Sequence, residues 1–439
     1  MDESPAAKKF KHSNFSQSEK VEDAFKKTFG LEEYRVNQLE AIKANNSGKN
    51  VFVVGGNGAG KSLCYQLPAC LSDGVTVVIS PLKALNLEQI KELTELGIKA
   101  WTPSDDQSER DQNRIYKQLI NEDPKIKLLY VTPEKMRNTA WLIMALKSLN
   151  GRKLLARFVI DEAQCIIEVG YDFRQTFVTL NDLQKEFWKV PIMAVSGPIG
   201  PGIQEDILNR LQMTNPQVFT MPFNRFNLKY AVEKRTTKLG VDECIAWIEK
   251  HYPHDSGIVY CWRKVDCDVM ASSLNQAGLL ACSYHSDMTD EDRESAQNKW
   301  NENKCQVICA TSAAFGMGIN KPDVRYVIHS FLPESMEHYH RETGRAGRDG
   351  NMSRCILFYS DRDKGLLQRV IIEGKGSKDR KFKNLGTMMN YCRTPQDCRK
   401  IPLLTYFGGD DIEANICLPI SEAICDNCER ANAGAAATG

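Results

Sequence analysis

The sequence predicts an α/β fold of two successive units, each built on a parallel sheet with helices on both faces. The first observation is a series of short apolar runs, at residues 51–54, 75–80, at the start of 127–135 and at 190–197, that alternate with helical stretches, a pattern typical of parallel sheets. The second is a similar series that starts at residues 256–262, beyond the stretch MPFNRFNLKY, which we interpret as a linker. A chain of 439 residues is long enough for two or three domains with separate cores.

Composition and charge exclude several classes of protein. Hydrophobic residues make up 42% of the chain and charged residues 26%, as in ordinary globular proteins, and no apolar run approaches the roughly 18 residues of a membrane span. The net charge of +1 is not that of a protein that coats nucleic acid by bulk charge, so any nucleic-acid site would be a local patch. Most of the 15 cysteines are scattered along the chain, which suits a reducing compartment.

The first residues predict a disordered tail followed by helices. Residues 1–20 are polar and have no apolar period, and their AAKKFKH stretch is either a nuclear import signal or only solvated charge. A helical pattern then runs from residue 21 to Gly30, which fits a C-cap. The next stretch predicts a turn and the start of an amphipathic helix. It carries Arg35 and Gln38, side chains that can stack on a base and hydrogen-bond adenine. Exposed arginine and glutamine are also common on helices, so these two residues alone decide nothing.

A glycine-rich turn follows the first strand and predicts a phosphate site. The turn fits G-x-x-x-x-G-K-[ST], from Gly55 through Gly58 and Gly60 to Lys61 and Ser62. Glycines let backbone N–H groups converge on phosphate oxygens, and the N-terminus of the following helix adds partial positive charge. Lys61 would reach the β- and γ-phosphates, and the Ser62 hydroxyl would bind Mg²⁺. The alternative is an ordinary glycine-rich turn, but the strand before it and the helix after it favour the nucleotide site.

Two carboxylates predict the second half of a nucleotide site. Asp161 and Glu162 follow the apolar run of residues 154–160, and the carboxyl ends of parallel strands are where ligands gather. One carboxylate can hold Mg²⁺ through water, and the next can position and deprotonate the attacking water. A pair of exposed acids at a strand end is the alternative. Their position after a phosphate loop favours the functional interpretation.

The second unit contains no phosphate loop but has a basic segment, HRETGRAGRDG, at residues 340–350. Arg345 and Arg348 are three residues apart, so we expect them on one helical face, from which they could meet a γ-phosphate. A basic helix start on a solvated surface is the alternative.

Several motifs together resemble the RecQ family of DNA helicases, in particular the Bloom syndrome helicase group. They are QLEAI, GKSLCYQLPA, SPLKAL, LLYVTPEK, VIDEAQ, YDFRQ, FGMGINKPDVRYVIH and GRAGRDG, and the similarity covers residues 22–430. The resemblance implies RecA-like domains at residues 21–220 and 221–368, a helical zinc-binding subdomain at 369–431 and a disordered tail at 432–439. It also implies 3′-to-5′ movement on single-stranded DNA, driven by ATP hydrolysis, in DNA repair and recombination in the nucleus.

The resemblance further implies roles for individual residues. Arg35 would stack on adenine, Gln38 would hydrogen-bond it, and Gln164 would also lie at the nucleotide, with ATP and Mg²⁺ as cofactors. Arg348, assisted by Arg345, would be the arginine finger. Contacts to single-stranded and to branched or duplex DNA are expected from Lys83, Tyr171, Phe173, Arg174 and Arg263, although basic residues at strand ends are also ordinary surface residues.

Four C-terminal cysteines resemble the zinc ligands of the RecQ subdomain. They are Cys398, Cys417, Cys425 and Cys428, of which the last two form a C-x-x-C pair, and four thiolates can close a tetrahedral Zn²⁺ site. Cys392 is a competing ligand, but the DCRK stretch at Cys398 matches the family position. Four free thiols are the alternative. It is disfavoured because so small a segment has too little hydrophobic core to fold without a bound metal or another cross-link.

The departures from the family pattern fall on parts that couple nucleotide to DNA. Gln164 stands where the family has the histidine of a DEAH box, and Val169 replaces a tryptophan of the aromatic-rich loop. Motif III is SGPI at residues 196–199, motif V has an extra residue within 310–316, and Asn320 replaces an aspartate. Glutamine cannot carry a proton, and a missing tryptophan ring cannot stack on a base.

Two hypotheses from different classes follow. The chain is an ATP-driven DNA helicase of RecQ type, or it is a degenerate paralogue that binds ATP and DNA but unwinds poorly or not at all. Intact Lys61, Glu162 and Arg348 favour the first hypothesis. Gln164, Val169 and Pro198 favour the second. An RNA helicase is a weaker third hypothesis.

Overall fold

The computed structural model describes residues 19–81, 83–103, 108–168, 185–200, 202–315, 321–374, 377–408, 417 and 423–438. The chain divides into two compact units. The first holds Met1–Gly55 and Ala59–Pro222, and the second holds Gly56–Gly58 and Phe223–Gly439. The division at Pro222 falls close to the boundary at residues 220/221 that the sequence suggests.

The first unit is built on a seven-stranded parallel sheet. Its strands are β1 (Val51–Val54), β2 (Val75–Ile79), β3 (Ala100–Trp101), β4 (Leu128–Val131), β5 (Leu155–Ile160), β6 (Ile192–Ser196) and β7 (Gln217–Thr220). They lie in the order β3-β4-β2-β5-β6-β1-β7. The described helices are a π-helix (Ala24–Thr28), α1 (Gln38–Asn46), α2 (Leu63–Leu71), α3 (Lys83–Glu95), α4 (Glu109–Ile120), α5 (Pro133–Asn138), α6 (Ala140–Gly151), α7 (Cys165–Glu168) and α8 (Ile203–Arg210).

The inner strands of this sheet are the apolar runs that the sequence predicts. All residues of β1, β2, β4 and β6 are buried, because helices cover both faces of a parallel sheet and leave no solvated side. The sheet order places β5, β6 and β1 next to one another. The turns that follow these three strands therefore meet at one edge of the sheet, where ligands of such folds bind.

The two edge strands of the first sheet were not predicted. β3 has only two residues, and β7 is largely exposed. An edge strand pairs on one side alone and needs no continuous apolar run, so the hydrophobic pattern does not mark it.

The second unit is built on a six-stranded parallel sheet in the order β10-β11-β9-β12-β13-β8. The strands are β8 (Leu228–Lys234), β9 (Gly257–Cys261), β10 (Ala281–Tyr284), β11 (Val307–Thr311), β12 (Tyr326–His329) and β13 (Ser353–Tyr359). The helices are α9 (Val241–His251), α10 (Lys264–Gln276), α11 (Asp290–Asn301), α12 (Met336–Thr343), α13 (Asp361–Glu373), α14 (Lys378–Arg393), α15 (Lys400–Tyr406) and α16 (Asp426–Thr438).

The predicted linker MPFNRFNLKY ends inside strand β8, which begins at Leu228. This strand pairs along its whole length with β13, from Leu228↔Ser353 to Lys234↔Tyr359. Its burial alternates at the start and fades toward its exposed end, as expected at a sheet edge. The linker interpretation is therefore wrong for residues 228–230, whereas the division between the two units, after Pro222, does fall within this stretch.

The C-terminal region is helical, in agreement with the fold class. Its last helix, α16, continues to Thr438, through residues for which the sequence suggests a disordered tail. The run of alanines there has high helix propensity, which explains why the helix does not stop at residue 431. None of the described helices combines the length and the apolar character needed to cross a bilayer.

Candidate nucleotide and metal sites

The glycine-rich turn leads from β1 into helix α2. The Lys61 ammonium donates a hydrogen bond to the Gly55 carbonyl over 3.0 Å, which holds the lysine side chain across the turn. Gly58 and Gly60 have φ of +74° and +79°, a region that residues with a Cβ rarely adopt. A Cβ added at Gly60 would also lie only 2.6 Å from Nε2 of Gln38. Both the backbone conformation and the close approach therefore require glycine at residue 60.

Gln38 connects the first helix to this turn. It is buried, its Nε2 donates to the Gly60 carbonyl over 3.0 Å, and its Oε1 accepts from the Arg35 backbone amide over 3.0 Å. Arg35 is exposed, and its Cδ would lie 3.4 Å from a Cβ added at Gly60. The structure thus brings both predicted adenine-binding residues beside the turn, and their roles at the base stay predictions.

Asp161 and Glu162 lie where β5 ends. Asp161 is buried, its Oδ1 accepts from the Glu162 amide over 3.0 Å, and its Oδ2 accepts from the Tyr65 hydroxyl over 3.1 Å. Burial, followed by the neighbouring Glu162 carboxylate, raises the pKa of Asp161 to about 7. A divalent cation at this carboxyl would favour its ionised form. Glu162 has φ of +51°, and such unusual backbone conformations cluster at functional sites.

Gln164 connects this acidic turn to the turn after β6. Its Nε2 donates to the Glu162 carboxylate, and its Oε1 accepts from the Ser196 hydroxyl over 3.0 Å and from the Gly197 amide over 2.9 Å. The side chain is buried. The amide predicted to lie at the nucleotide therefore joins Glu162 to motif III. Sequence analysis missed this bridge, because a residue's partners beyond its own segment are set by the sheet order.

Tyr65 is a site residue that sequence analysis did not single out. It lies on α2, three residues after Ser62, and it is fully buried. Its hydroxyl hydrogen-bonds Ser62 as well as Asp161. Its position in the sequence could have identified it, because it lies one helical turn after the predicted magnesium ligand, within GKSLCYQL.

Two of the five predicted DNA-contacting residues lie within the part of the chain that the structure describes. Lys83 is exposed at the start of α3. Arg263 is the N-cap residue of α10, and its guanidinium makes two hydrogen bonds to the Asp266 carboxylate, at 3.0 and 2.6 Å. Beside it, Trp262 stacks on Phe331 with the ring centroids 4.6 Å apart. The other three predicted contacts lie outside the described residues: Tyr171, Phe173 and Arg174.

Arg345 and Arg348 do not share a helical face, so that prediction is wrong. Helix α12 ends at Thr343, its C-cap is Gly344, and both arginines lie in the turns that follow. Gly347, with φ of +57°, helps to keep the chain from continuing as a helix. Arg345 is buried and hydrogen-bonds the Tyr260 phenol. A role at the γ-phosphate stays a prediction for both.

A buried carboxylate lies just before these turns. Glu342, on α12, accepts a hydrogen bond from the Ser312 hydroxyl in motif V and lies 2.7 Å from Nε2 of His329, at the end of β12. Both Glu342 and His329 are 2% exposed. Burial by itself raises the pKa of Glu342, but the hydrogen bond and charge of His329 outweigh it, and the pKa is lowered to about 2. The ionised carboxylate thus joins motif V to the basic segment of residues 340–350 within the second unit.

The four predicted zinc ligands come together. The sulfur atoms of Cys398, Cys417, Cys425 and Cys428 all lie within 4.8 Å of one another. The Cys398 sulfur is 3.2 Å from that of Cys417 and 3.9 Å from that of Cys425. Bonds of about 2.3 Å to a tetrahedral Zn²⁺ would separate sulfur atoms by about 3.8 Å, so the group fits this ion.

The surroundings of the cysteine cluster support a metal site. The backbone amide of Arg399 donates to the Cys425 sulfur over 3.3 Å, as outer partners of metal ligands do. The Arg399 guanidinium pairs with Asp426, which joins the segment before α15 to α16. Cys392, the competing ligand, lies buried in α14 and is not a member of the cluster.

Three family models match the chain in succession. The DEAD/DEAH box helicase model matches residues 35–200, the helicase conserved C-terminal domain matches 240–350, and the RecQ zinc-binding model matches 361–429. The Xenopus laevis RecQ-like DNA helicase BLM is 48% identical over 431 residues, which are 97% of this chain and 32% of that protein. The Caenorhabditis elegans RecQ-like DNA helicase blm-1 is 41% identical over 93% of this chain and 41% of its own length.

A solved structure shows the same fold at low sequence identity. The DUF1998 helicase MrfA bound to DNA superposes with a TM-score of 0.64 and 18% identity, over 78% of this chain and 51% of that one. The present chain spans about a third of the frog relative's length and less than half of the nematode relative's.

Proposed function

Since the chain belongs to the RecQ family of DNA helicases, we propose that it hydrolyses ATP to move 3′ to 5′ along single-stranded DNA and to separate branched or duplex DNA. The observation that supports this most is the grouping of Lys61, Asp161 and Glu162 at the ends of β1 and β5, strands separated only by β6. Phosphoryl transfer needs groups that position the phosphates, the metal and the water, and these residue types supply all three.

Each residue of this group has a proposed task. The turn amides and Lys61 would hold the phosphates, while Ser62 and Asp161 would hold Mg²⁺, whose charge offsets that of the phosphates. Glu162 would orient the attacking water and take its proton. Arg345 and Arg348 would stabilise charge on the γ-phosphate. The four cysteines would hold Zn²⁺ as a structural centre that fastens the C-terminal helices.

The degenerate paralogue remains the second candidate, because specific residues favour it. Gln164 occupies the position of the family histidine and is committed to Glu162, Ser196 and Gly197. Pro198 follows this contact directly, and proline fixes φ and lacks an N–H. Under this hypothesis the protein binds ATP and DNA without efficient strand separation. For either candidate we propose a nuclear location and a role in DNA repair or recombination.

The first experiment measures the ATPase rate with and without single-stranded DNA, beside a Lys61→Ala control. We expect strong stimulation by DNA that the control abolishes, because Lys61 is central to phosphate binding. A low rate that DNA does not change, in a protein that still binds ATP, would refute the helicase proposal and leave the degenerate one. Stronger stimulation by RNA than by DNA of the same sequence would favour the RNA helicase hypothesis.

A strand-displacement assay then separates the two candidates. Duplexes with a 3′ or a 5′ single-stranded tail are compared, and a 3′-to-5′ helicase separates only the first. Gln164→His is the matched variant, because it restores the family residue at this position. An increase in displacement by the variant over an inactive parent would show that Gln164 itself limits coupling.

A further inference from the structure

The hydroxyl of Tyr65 contacts both side chains that we propose as magnesium ligands. It donates to Oδ2 of Asp161 over 3.1 Å and hydrogen-bonds Ser62. The two ligands come from different parts of the fold, since Ser62 precedes α2 and Asp161 follows β5. One buried hydroxyl therefore connects the loop side and the carboxylate side of the proposed metal site.

Packing fixes the position of this hydroxyl. Tyr65 is fully buried within the apolar core between α2 and the sheet, so its ring has little freedom to turn away. A phenol in such surroundings must hydrogen-bond to offset the loss of water. The packing of the ring therefore keeps the Tyr65 hydroxyl next to Asp161 and Ser62.

The same network extends to a second buried phenol and then to helix α3. The Tyr65 hydroxyl hydrogen-bonds that of Tyr130 on β4, which accepts from Nε2 of Gln66 over 3.4 Å. Gln66 also donates to Gln89 over 2.7 Å, and Gln89 lies on α3, the helix that begins with the predicted DNA contact Lys83.

We propose that Tyr65 is a positioning residue for Mg²⁺: its hydroxyl holds Asp161 and Ser62 in the arrangement that binds the metal–nucleotide complex. This inference rests on the proposed function and names a residue that acts through the ligands and does not touch the nucleotide. The hydrogen bond to the carboxylate orients Oδ2 and leaves the other lone pairs of Asp161 for the metal and its waters. The extension to Gln89 gives helix α3 a path to the same hydroxyl.

The test measures binding of a fluorescent ADP analogue while Mg²⁺ is titrated, in the wild-type protein and in Tyr65→Phe. Phenylalanine keeps the ring that fills the core and removes only the hydroxyl. We expect the Mg²⁺ concentration for half-maximal enhancement of binding to rise about tenfold, as for the loss of one hydrogen bond to a charged group. Binding without Mg²⁺ should stay within twofold of wild type. Thermal unfolding of both proteins verifies that the variant is folded.

Tyr130→Phe is the matched control, since it removes the neighbouring buried phenol and leaves the bond from Tyr65 to Asp161 in place. We expect its Mg²⁺ requirement to stay within twofold of wild type. A Tyr65→Phe protein with the wild-type Mg²⁺ requirement would overturn the inference, and so would an equal shift in both variants. A wild-type protein whose nucleotide binding gains nothing from Mg²⁺ would instead refute the proposed nucleotide chemistry, and the inference with it.

Discussion

The substitution Glu342→Gln tests whether the buried carboxylate that links helix α12 to motif V stabilises the second unit. Glutamine has nearly the same shape, so the change removes the charge and one acceptor without opening a cavity. The partners that lose the carboxylate are the Ser312 hydroxyl and His329. Removing one member of a buried hydrogen-bonded pair is costly because it leaves the other member unpaired.

The pKa of Glu342 gives the size of the effect and its dependence on pH. The value falls from an ordinary 4.5 to about 2 in the folded protein, which corresponds to roughly 3 kcal/mol of stabilisation. Because the folded pKa lies below the unfolded one, this contribution is fully present above about pH 4.5 and is lost as the pH falls toward 2. We therefore expect Glu342→Gln to destabilise the second unit by up to about 3 kcal/mol at pH 7 and by much less near pH 2.

Hydrogen exchange and urea unfolding measure the two parts of this prediction. At pH 7, peptides that cover β12 should exchange about 100-fold faster in the variant if they open through the same local unfolding. Urea midpoints between pH 7 and pH 3 should converge between variant and wild type as the pH falls. A variant with the wild-type exchange rate at pH 7, or a difference that does not shrink in acid, would refute the reasoning.

Glu337→Gln is the matched control for this experiment. Glu337 lies on the same helix and is also buried, and its carboxylate accepts one hydrogen bond, from the Tyr406 hydroxyl over 2.7 Å. A glutamine can still accept this bond, so we expect a loss of about 1 kcal/mol or less. An equal loss of stability in both variants would contradict the prediction. It would mean that the measurement detects the burial of any glutamate on α12 and not the bridge to Ser312 and His329.

Three further predictions concern the candidate sites. Gly60→Ala places a Cβ against the side-chain amide of Gln38 at a φ of +79°, which strains the turn by about 1–2 kcal/mol. Binding of a fluorescent ADP analogue should therefore weaken about tenfold, and an unchanged affinity would show that the turn relaxes freely. Gln164→Ala breaks the bridge from Glu162 to motif III. Stimulation of the ATPase by DNA should then fall at least tenfold, while the affinity for ATP stays within twofold of wild type. Full stimulation in the variant would contradict a coupling role for Gln164. Cys417→Ser should lower the zinc content measured by atomic absorption and the thermal midpoint, whereas Cys392→Ser should retain the metal; zinc loss in both would refute the ligand assignment.

The sequence by itself determined the elements whose signals are local. The inner strands are mostly apolar runs, with Arg157 of β5 as a charged exception. They appear where the hydrophobic pattern places them, because a strand covered on both faces buries nearly all of its side chains. The glycine-rich turn is equally local, since its conformation depends on residues within one segment. The grouping of four cysteines was available from the resemblance to a known family.

The tertiary structure decided what depends on contacts between distant segments. The sheet order β5-β6-β1 brings Gln164 into contact with Ser196. The separation of these two residues along the sequence does not predict this contact. In the same way the packing of α2 against the sheet gives Tyr65 its place between Ser62 and Asp161. The edge strand β8 escaped prediction for a related reason, because pairing to one neighbour leaves a weak hydrophobic pattern. The end of α12 before Arg345 did have a local signal, the C-cap Gly344, which the prediction of a shared helical face overlooked. A side chain's chemistry is local, but its partners are fixed only when the whole sheet has formed.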